Sequence, residues 1–495
     1  LRTLPDRGPI VERALRRARE DLLSLRLSDF DAPDGGWTLA AGVPIYVALF
    51  GRDTLTTSWQ AAFLGPELLS GTLRALARYQ GTETNPWRDE QPGRHLHEAH
   101  TSPLATLNIL PRSRYYGSLT TSILFPFLVA ELWHWTGDKA RVAPFLEPAL
   151  KGLQWADTFS NPGGRGFYKY KSMSPKGTRH QGWKDSSDAI VDVEGRDVEP
   201  PIAMCEEQSF AYVSKLHLAE TLWWFGRHDE AKRLFHEANE LKKRFNEAFW
   251  MPDLGFLAMA LGPNDEQIKS IGSDAGHALP SGILDPSLAR TVADRLMRED
   301  LFSGWGVRTL SSEHRAYNPF SYHRGSVWPV EQGTFTVGFA RFGFHDLVER
   351  LSGALFDACA LFENFRLPEL FSGHPRDRQH PFPALYPQAN SPQAWSSSMV
   401  FNLIQSLLGL YPYAPLNTLL VDPRLPPWLP EISIRHLRVG TTELDLRFRR
   451  DTSGKTMTEI LRKEGPLKVL HQPNPWSLTA TPVERVRDFI DSLSL

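Results

Sequence analysis

Twelve segments with helical spacing of apolar residues recur along this chain, and the joins between them alternate between short and long. The stripes fall near 10–26, 52–64, 67–80, 118–136, 138–159, 201–225, 228–249, 276–283, 286–299, 326–342, 344–363 and 391–410. Pro66 with Glu67, Gly137 with Asp138, Pro286 and Gly343 mark points where a helix should start or stop. Joins at 65–66, 137, 226–227, 284–285 and 343 are so short that the flanking helices must run antiparallel. The joins at 81–117, 160–200, 250–275, 300–325 and 364–390 are long, and loops of that length inside a compact domain carry function. Six helical pairs with their long loops at one end describe an all-α (α/α)6 barrel over residues 1–411. Its active site would be the crater those loops form.

After Tyr411 the pattern changes. Pro412, Pro415, Pro423, Pro426, Pro427 and Pro430 lead into alternating segments at 437–439, 443–448, 455–461 and 467–470. Residues 412–495 therefore read as a small β-rich C-terminal appendage, with a short closing helix expected at 482–493.

Charge and composition remove several function classes. A formal net charge of −2 gives no electrostatic case for nucleic-acid or membrane partners. No apolar run approaches the ~20 residues of a membrane span, and the Arg- and Glu-rich first 25 residues carry no signal-peptide core. Leu1 stands where an initiator Met would, which leaves room for sequence upstream. Two cysteines, Cys205 and Cys359, read as buried free thiols, so a cytoplasmic protein is expected.

The 15 tryptophans are the unusual feature. Trp37, Trp87, Trp183, Trp305 and Trp328 fall in Gly- and Pro-rich loops, where a flat ring either plugs a loop onto the core or stacks on the apolar face of a sugar. Carboxylates cluster with them. In Gln181-Gly182-Trp183-Lys184-Asp185-Ser186, a ring beside an acid raises the acid's pKa by desolvation, whereas Lys184 opposes the effect. Arg52 and Asp53, after Gly51 at a helix start, could grip sugar hydroxyls or simply cap the helix. Cys205-Glu206-Glu207-Gln208 pairs two acids on a helix, of which only one can face the crater. Arg308, Tyr322, His323 and Trp328 suit a polyol pocket, Glu369 sits alone in an apolar turn, and Gln393 and Trp395 start the last helix. Two carboxyls facing one another across a crater are the minimum machinery for glycoside hydrolysis.

Other chemistries lack their motifs: there is no P-loop, dinucleotide fingerprint, nucleophile elbow or H-E-x-x-H helix. His95, His97 and His100 with Glu98 form a tight His cluster, but in a loop full of Arg and Pro that makes a poor ligand set. The acidic stretch 185–197 misses the calcium-loop spacing. No metal or organic cofactor is expected.

At FGRDT, GTETNPWRDEQPGRHLHE, YYGS, QGWKDSSDAI, FNEAFW, AGH, FSGWGVRTLSS, YNPFSYHRGSVWP, RLPELFSG and SPQAWSS the chain resembles the bacterial and archaeal amylo-α-1,6-glucosidase family, the catalytic domain of glycogen-debranching proteins. The resemblance spans roughly 40–450 and implies an (α/α)6 barrel. It also implies exo-acting, inverting hydrolysis of a terminal α-glucoside or oligosaccharide. Asp185 falls on that family's general acid, Glu369 on its general base, and Arg52 and Asp53 on the pair that grips the terminal sugar. Arg308 and Glu206-Glu207 resemble pocket residues of the related glucoamylases, which makes Glu206 the reserve acid. Trp183, Lys184, Gln208, Tyr322, His323, Trp328, Gln393 and Trp395 complete the expected sugar-binding set. Thr120 stands where relatives carry a pocket acid, and Arg324, Val330, Glu331 and Gln332 also depart from the pattern, which bears on sugar and leaving-group specificity. Two rival functions fit a similar barrel: an epimerase or isomerase using His277 and His323, and a glycan-binding protein without turnover.

Overall fold

The structure, a computed structural model, describes residues 7–474. Two kinds of helix follow from two kinds of sequence. Leu119–Thr136 is apolar all round and buried along nearly its whole length, capped by Ser118 at its start and closed by left-handed Gly137. Cys205–Trp224 is likewise buried on every side. By contrast, His228–Phe249 buries one stripe, Ala231, Leu234, Ala238, Leu241, Phe245 and Phe249, and turns its charged face outward.

The buried helices form a ring. Gly51–Gln60 packs on Leu119–Thr136, which packs on Cys205–Trp224 and then on the turn Ser273–His277 with Ala278–Ser281. Pro329–Arg341 and Ala394–Leu408 continue the series, and Ala394–Leu408 returns to Gly51–Gln60. Amphipathic helices cover this ring from outside: Gly8–Ser24, Pro66–Arg78, Leu146–Trp155, His228–Phe249, Pro286–Leu296 and His345–Cys359. The result is a helical barrel, and every stripe expected from the sequence lies on a helix or helical turn.

Three boundaries differ from expectation, each for a local reason. The stripe at 138–159 is not one helix: Lys139–Val142 passes into a 3-10 turn at Ala143–Phe145, where Pro144 interrupts the α-helical hydrogen bonds, before Leu146–Trp155 resumes. The helix expected from 201 starts at Cys205, after Pro200 and Pro201 and the two-residue strand Ala203–Met204. The first long strand of the appendage begins at Glu431 instead of 437, because a bulge between Ile434 and Leu437, with His436 at φ 57°, breaks the two-residue period.

Glu431–Val439, Thr442–Arg450 and Thr456–Glu464 form an antiparallel sheet. A second sheet pairs Thr418–Val421 with Tyr411–Tyr413 on one side and, in parallel, with Lys468–His471 on the other. Leu437, Val439, Leu444, Leu446 and Phe448 join the same apolar core as the helices. The closing helix expected at 482–493 lies outside the described residues. Cys205 and Cys359 are buried free thiols. No described helix is long and apolar enough to cross a membrane.

The entry to the ring is tightly packed at Gly51, the first residue of its helix. A Cβ there would collide with the Leu96 carbonyl oxygen and lie 2.6 Å from Thr121 Cγ2. Gly51→Ala is expected to lower unfolding stability by about 1–3 kcal/mol, as overpacking does, measured by urea denaturation.

Candidate active site

Three of the inner helices, Gly51–Gln60, Pro329–Arg341 and Ala394–Leu408, start at one cavity of about 340 Å³ between the long loops. Arg52 and Asp53 reach it from the first turn of Gly51–Gln60, and Trp395 from the first turn of Ala394–Leu408. The loops contribute Trp183 and Asp185, Tyr322 and His323, Trp328, and Glu369. Residues 180–370 thus bring Asp185 and Glu369 to one space from separate loops.

Arg52 is the hub. Its guanidinium donates to the Gly182 carbonyl at 2.7 Å and to Asp185 Oδ2 at 3.0 Å, and lies over the Trp395 ring. Asp185 keeps about a quarter of its side chain exposed (24%), while Arg52 is buried (7%). His97 Nε2 stands 4.0 Å from the same Asp185 oxygen.

Glu369 is held differently. The Tyr322 hydroxyl donates to its Oε1 at 2.5 Å, and the Asn390 backbone N–H and side-chain amide donate to Oε2 at 3.0 and 2.8 Å. Burial pushes this carboxyl above the ordinary range, the Asn390 and Tyr322 hydrogen bonds hold it down, and the charge of Asp185 adds to the rise. The Tyr322 hydroxyl also lies 3.3 Å from that of Tyr46.

Four of the lining residues bury a polar atom that has no hydrogen-bond partner among the described residues: Arg52 Nε, Asp53 Oδ2, His97 Nδ1 and Trp183 Nε1. Rings frame the space. Trp183 meets Trp328 edge-on at 5.1 Å and Trp395 at 6.2 Å, His323 stacks on Trp328 at 5.1 Å, and Trp328 Nε1 donates to the Tyr322 carbonyl at 2.8 Å.

Not every residue expected at the sugar reaches it. Lys184 turns away from Trp183 and Asp185 and is fully buried, bonded to Asp274 at 2.7 Å and to the Thr309 carbonyl at 2.8 Å. Gln208 ties the backbones of Tyr168 and Met204, a turn below the helix start. Arg308 clamps the carbonyls of Gly373, Glu299 and Asp300. The Gln393 side-chain amide sits between the Ala41 carbonyl and Trp395 Nε1, where with its oxygen toward the indole it donates to the first and accepts from the second. These four hold the loops in place.

Glu206 lies beneath Gly182, fully buried, and neither carboxyl oxygen has a protein partner. Burial, then the charges of Asp274 and Glu207, push it well above the ordinary carboxyl range. Glu207 is pushed up to about 8 by burial, against the hydrogen bond from the Thr120 hydroxyl. Thr120 thus caps a buried glutamate.

Sequence reasoning missed Tyr46, Asn390, Arg112 and Tyr386, and treated His97 only as a metal candidate. The three clustered histidines diverge: His95 stacks on Phe125, His97 enters the cavity, and His100 bonds Glu98. No local signal marks Tyr46 or Asn390: Tyr46 meets Tyr322 276 residues further on, and Asn390, which holds Glu369, is itself bonded to the Ile45 backbone 345 residues away.

A helical barrel whose loops bring two carboxylates and three tryptophans to one cavity is an architecture suited to a carbohydrate-active enzyme. The family comparison agrees: residues 60–366 match the model of the mannosylglycerate hydrolase MGH1-like glycoside hydrolase domain, and the chain belongs to that family. The protein is a glycoside hydrolase. No curated protein sequence matches it. Among solved structures it is similar to the GH63 mannosylglycerate hydrolase from Thermus thermophilus in complex with glucose, at 16% identity and TM-score 0.60, over 79% of this chain and 99% of that one. It is also similar to the GH78 family rhamnosidase of Bacillus sp. GL1, at 11% identity and TM-score 0.63, over 94% of this chain and 42% of that one. These likenesses concern the fold. The class expected from the sequence, a glycoside hydrolase, holds, and the family that matches is the MGH1-like one, not the debranching one.

Asp53 gives a test of the site's electrostatics. Burial pushes its carboxyl up to about 7 from an ordinary 3.8, Arg52 opposes the rise, and Asp185 and Glu369 add to it. The folded protein therefore keeps a proton that the unfolded chain has lost. That stabilising contribution is fully present below about pH 4 and disappears as the pH rises through about 7. Asp53→Asn fixes the neutral form, so the decline in stability of wild type from pH 4 to 8, on the order of a few kcal/mol from this group, should flatten in the variant. Urea denaturation across that pH range checks it.

Proposed function

We propose that the protein is an inverting, exo-acting α-glycosidase in which Asp185 is the general acid and Glu369 the general base. One observation carries this reading: Glu369 is buried and held by three hydrogen bonds across a shared cavity from the partly exposed Asp185. The fixed carboxylate suits a base that must aim a water molecule at an anomeric carbon. The accessible acid suits protonation of a leaving oxygen at the cavity mouth. The ring and its outer helices fit an (α/α)6 barrel, in which such a cavity forms the crater.

Arg52 and Asp53 would hold the outer hydroxyls of the terminal sugar, and Trp183, Trp328 and Trp395 would wall its apolar face. As a proton leaves Asp185, the Arg52 guanidinium would orient the carboxylate. Water activated by Glu369 would attack from the opposite face and invert the anomer. The two carboxyls are expected about 6.5–9.5 Å apart.

The cavity is at the small end of ligand pockets, which run from ~300 to 1,000 Å³. That size supports a small α-glycoside, with a terminal α-glucosyl or α-mannosyl unit and a short polar aglycone, over a branched glucan. The name of the matching family, mannosylglycerate hydrolase MGH1-like, points the same way. The epimerase reading has less support, because His277 is bonded to Glu331 and does not line the cavity, and the His323 imidazole is kept neutral by burial and by nearby Lys184 and Arg52.

Hydrolysis of an α-glucoside or α-mannoside panel, followed by NMR, should release the β-anomer first; initial α-anomer sinks the inverting mechanism. Glu369→Gln should lower kcat by about 10²–10⁴-fold, whereas an epimerase would keep most of its activity. Asp185→Asn should abolish hydrolysis of natural disaccharides yet spare a glycosyl fluoride, whose leaving group needs no proton. Equal losses on both substrates would remove Asp185 from the acid role.

Tyr322→Phe deletes a hydrogen bond that favours ionised Glu369. Its carboxyl then rises further, so the acid limb of the pH profile of kcat/KM should move to higher pH.

A further inference from the structure

The barrel has a second cavity, at the opposite ends of the inner helices. The helix order shows this directly. Thr120, Trp395 and Val330, near the starts of their helices, face the region beneath the active site, whereas Glu131, His134, Gln405 and Arg341, near the ends of theirs, line the second cavity. From Thr120 to His134 a helix rises about 20 Å. This space is about 130 Å³ and has no role in the glycosidase chemistry above.

Three buried side chains converge on it. Glu131 and His134 are three residues apart on Leu119–Thr136, so they share a face, and His217 projects from the neighbouring Cys205–Trp224 helix. One ligand atom from each lies within 4.8 Å of the others. The relative exposures of the three residues are 8%, 1% and 5%.

We propose that Glu131, His134 and His217 form a binding site for one divalent transition ion of the zinc class. The donor set, two imidazoles and a carboxylate, is one that Zn²⁺ and its neighbours accept. At metal–ligand distances of about 2.0–2.2 Å the donors must close to about 3.5 Å from one another, a rotamer adjustment of about an ångström for which the adjoining cavity leaves room.

The surroundings of His134 carry the inference further. Its Nε2 is bonded to Glu220 Oε2 at 2.6 Å, and Glu220 is in turn fixed by Trp224 Nε1 at 3.0 Å and by the Tyr413 hydroxyl. Nδ1 is the nitrogen turned toward Glu131, at 3.8 Å, and toward the Tyr411 hydroxyl, at 3.4 Å. A carboxylate on the outer imidazole nitrogen orients the ring and makes the inner nitrogen a better ligand, as around bound metals generally. Glu131 and Glu220 outnumber Arg341, whose guanidinium is held by the Pro280 carbonyl at 3.1 Å. Against the opposing effect of burial, the same two carboxylates raise His134 to about 9, so an ion binds in exchange for its proton and then has two carboxylates against one guanidinium around it. The ion would tie two inner helices together beside the strand Tyr411–Tyr413, a structural staple remote from catalysis.

The test uses the full chain without a histidine tag, stripped with EDTA and dialysed against Zn²⁺. Atomic emission should find one zinc per chain, and the melting temperature should climb with the logarithm of Zn²⁺ concentration. Co²⁺ in the wild-type protein should give ligand-field bands of a four- or five-coordinate nitrogen–oxygen site. Glu131→Gln combined with His217→Gln should reduce bound zinc at least tenfold and remove the Zn²⁺-dependent rise in melting temperature, while Glu369→Gln keeps both. Wild-type protein with no retained zinc and no Co²⁺ bands, or a double variant that binds as much zinc as wild type, overturns the proposal and leaves the cluster as a buried ion pair of His134 with its carboxylates.

Discussion

A guanidinium buried at the mouth of the helical ring is the interaction on which the rest of the site depends. Arg52 can stay charged there only because the Gly182 carbonyl, Asp185 and Asp53 surround it. Those contacts run from an inner helix to a loop more than 120 residues further along the chain, so they fix where that loop sits. They also decide which side chains of the loop face inward. With Gly182 and Asp185 tied to Arg52, Trp183 turns into the cavity, and Lys184 is left to pair with Asp274 in the core.

The opposing side is organised by hydrogen bonds without a cation. Asn390 and Tyr322 grip both oxygens of Glu369, and Tyr322 is braced by Tyr46 and by the Trp328 indole on its carbonyl. One carboxylate is therefore partly exposed and paired with a positive charge, and the other is buried and held by neutral donors. Different surroundings are how a protein gives two chemically similar acids different tasks at one pH. The inner-helix N-termini at the same cavity add their partial positive charge, which favours anionic groups among them.

The acids beneath this layer are of another kind. Glu206 and Glu207, adjacent in sequence, are buried out of the cavity, and burial keeps their carboxyls protonated well beyond the ordinary range. Thr120 completes that layer by donating to Glu207. Thr120 and Glu207 therefore support the site from below.

The sequence by itself determined the helices, their pairing and the loops that carry the site. Each of these rests on local periods and turn residues, whereas which helices are inner and which outer came from the burial seen in the structure. It also singled out Arg52, Asp53, Asp185, Trp183, Tyr322, Trp328, Glu369 and Trp395, all of which line one cavity. Where the local signal was interrupted, by Pro144 or by the bulge at His436, the boundaries moved. Only the tertiary structure decided which polar residues in those motifs serve the cavity and which serve the core. Lys184, Gln208 and Arg308 have the composition of sugar ligands, but the direction of a loop side chain is set by partners such as Asp274, Tyr168 and Gly373 far away in sequence. Asn390 was hidden because a loop carries no period that aims its side chains, and the meeting of His217 with Glu131 and His134 was hidden because no period records a contact between helices about 80 residues apart.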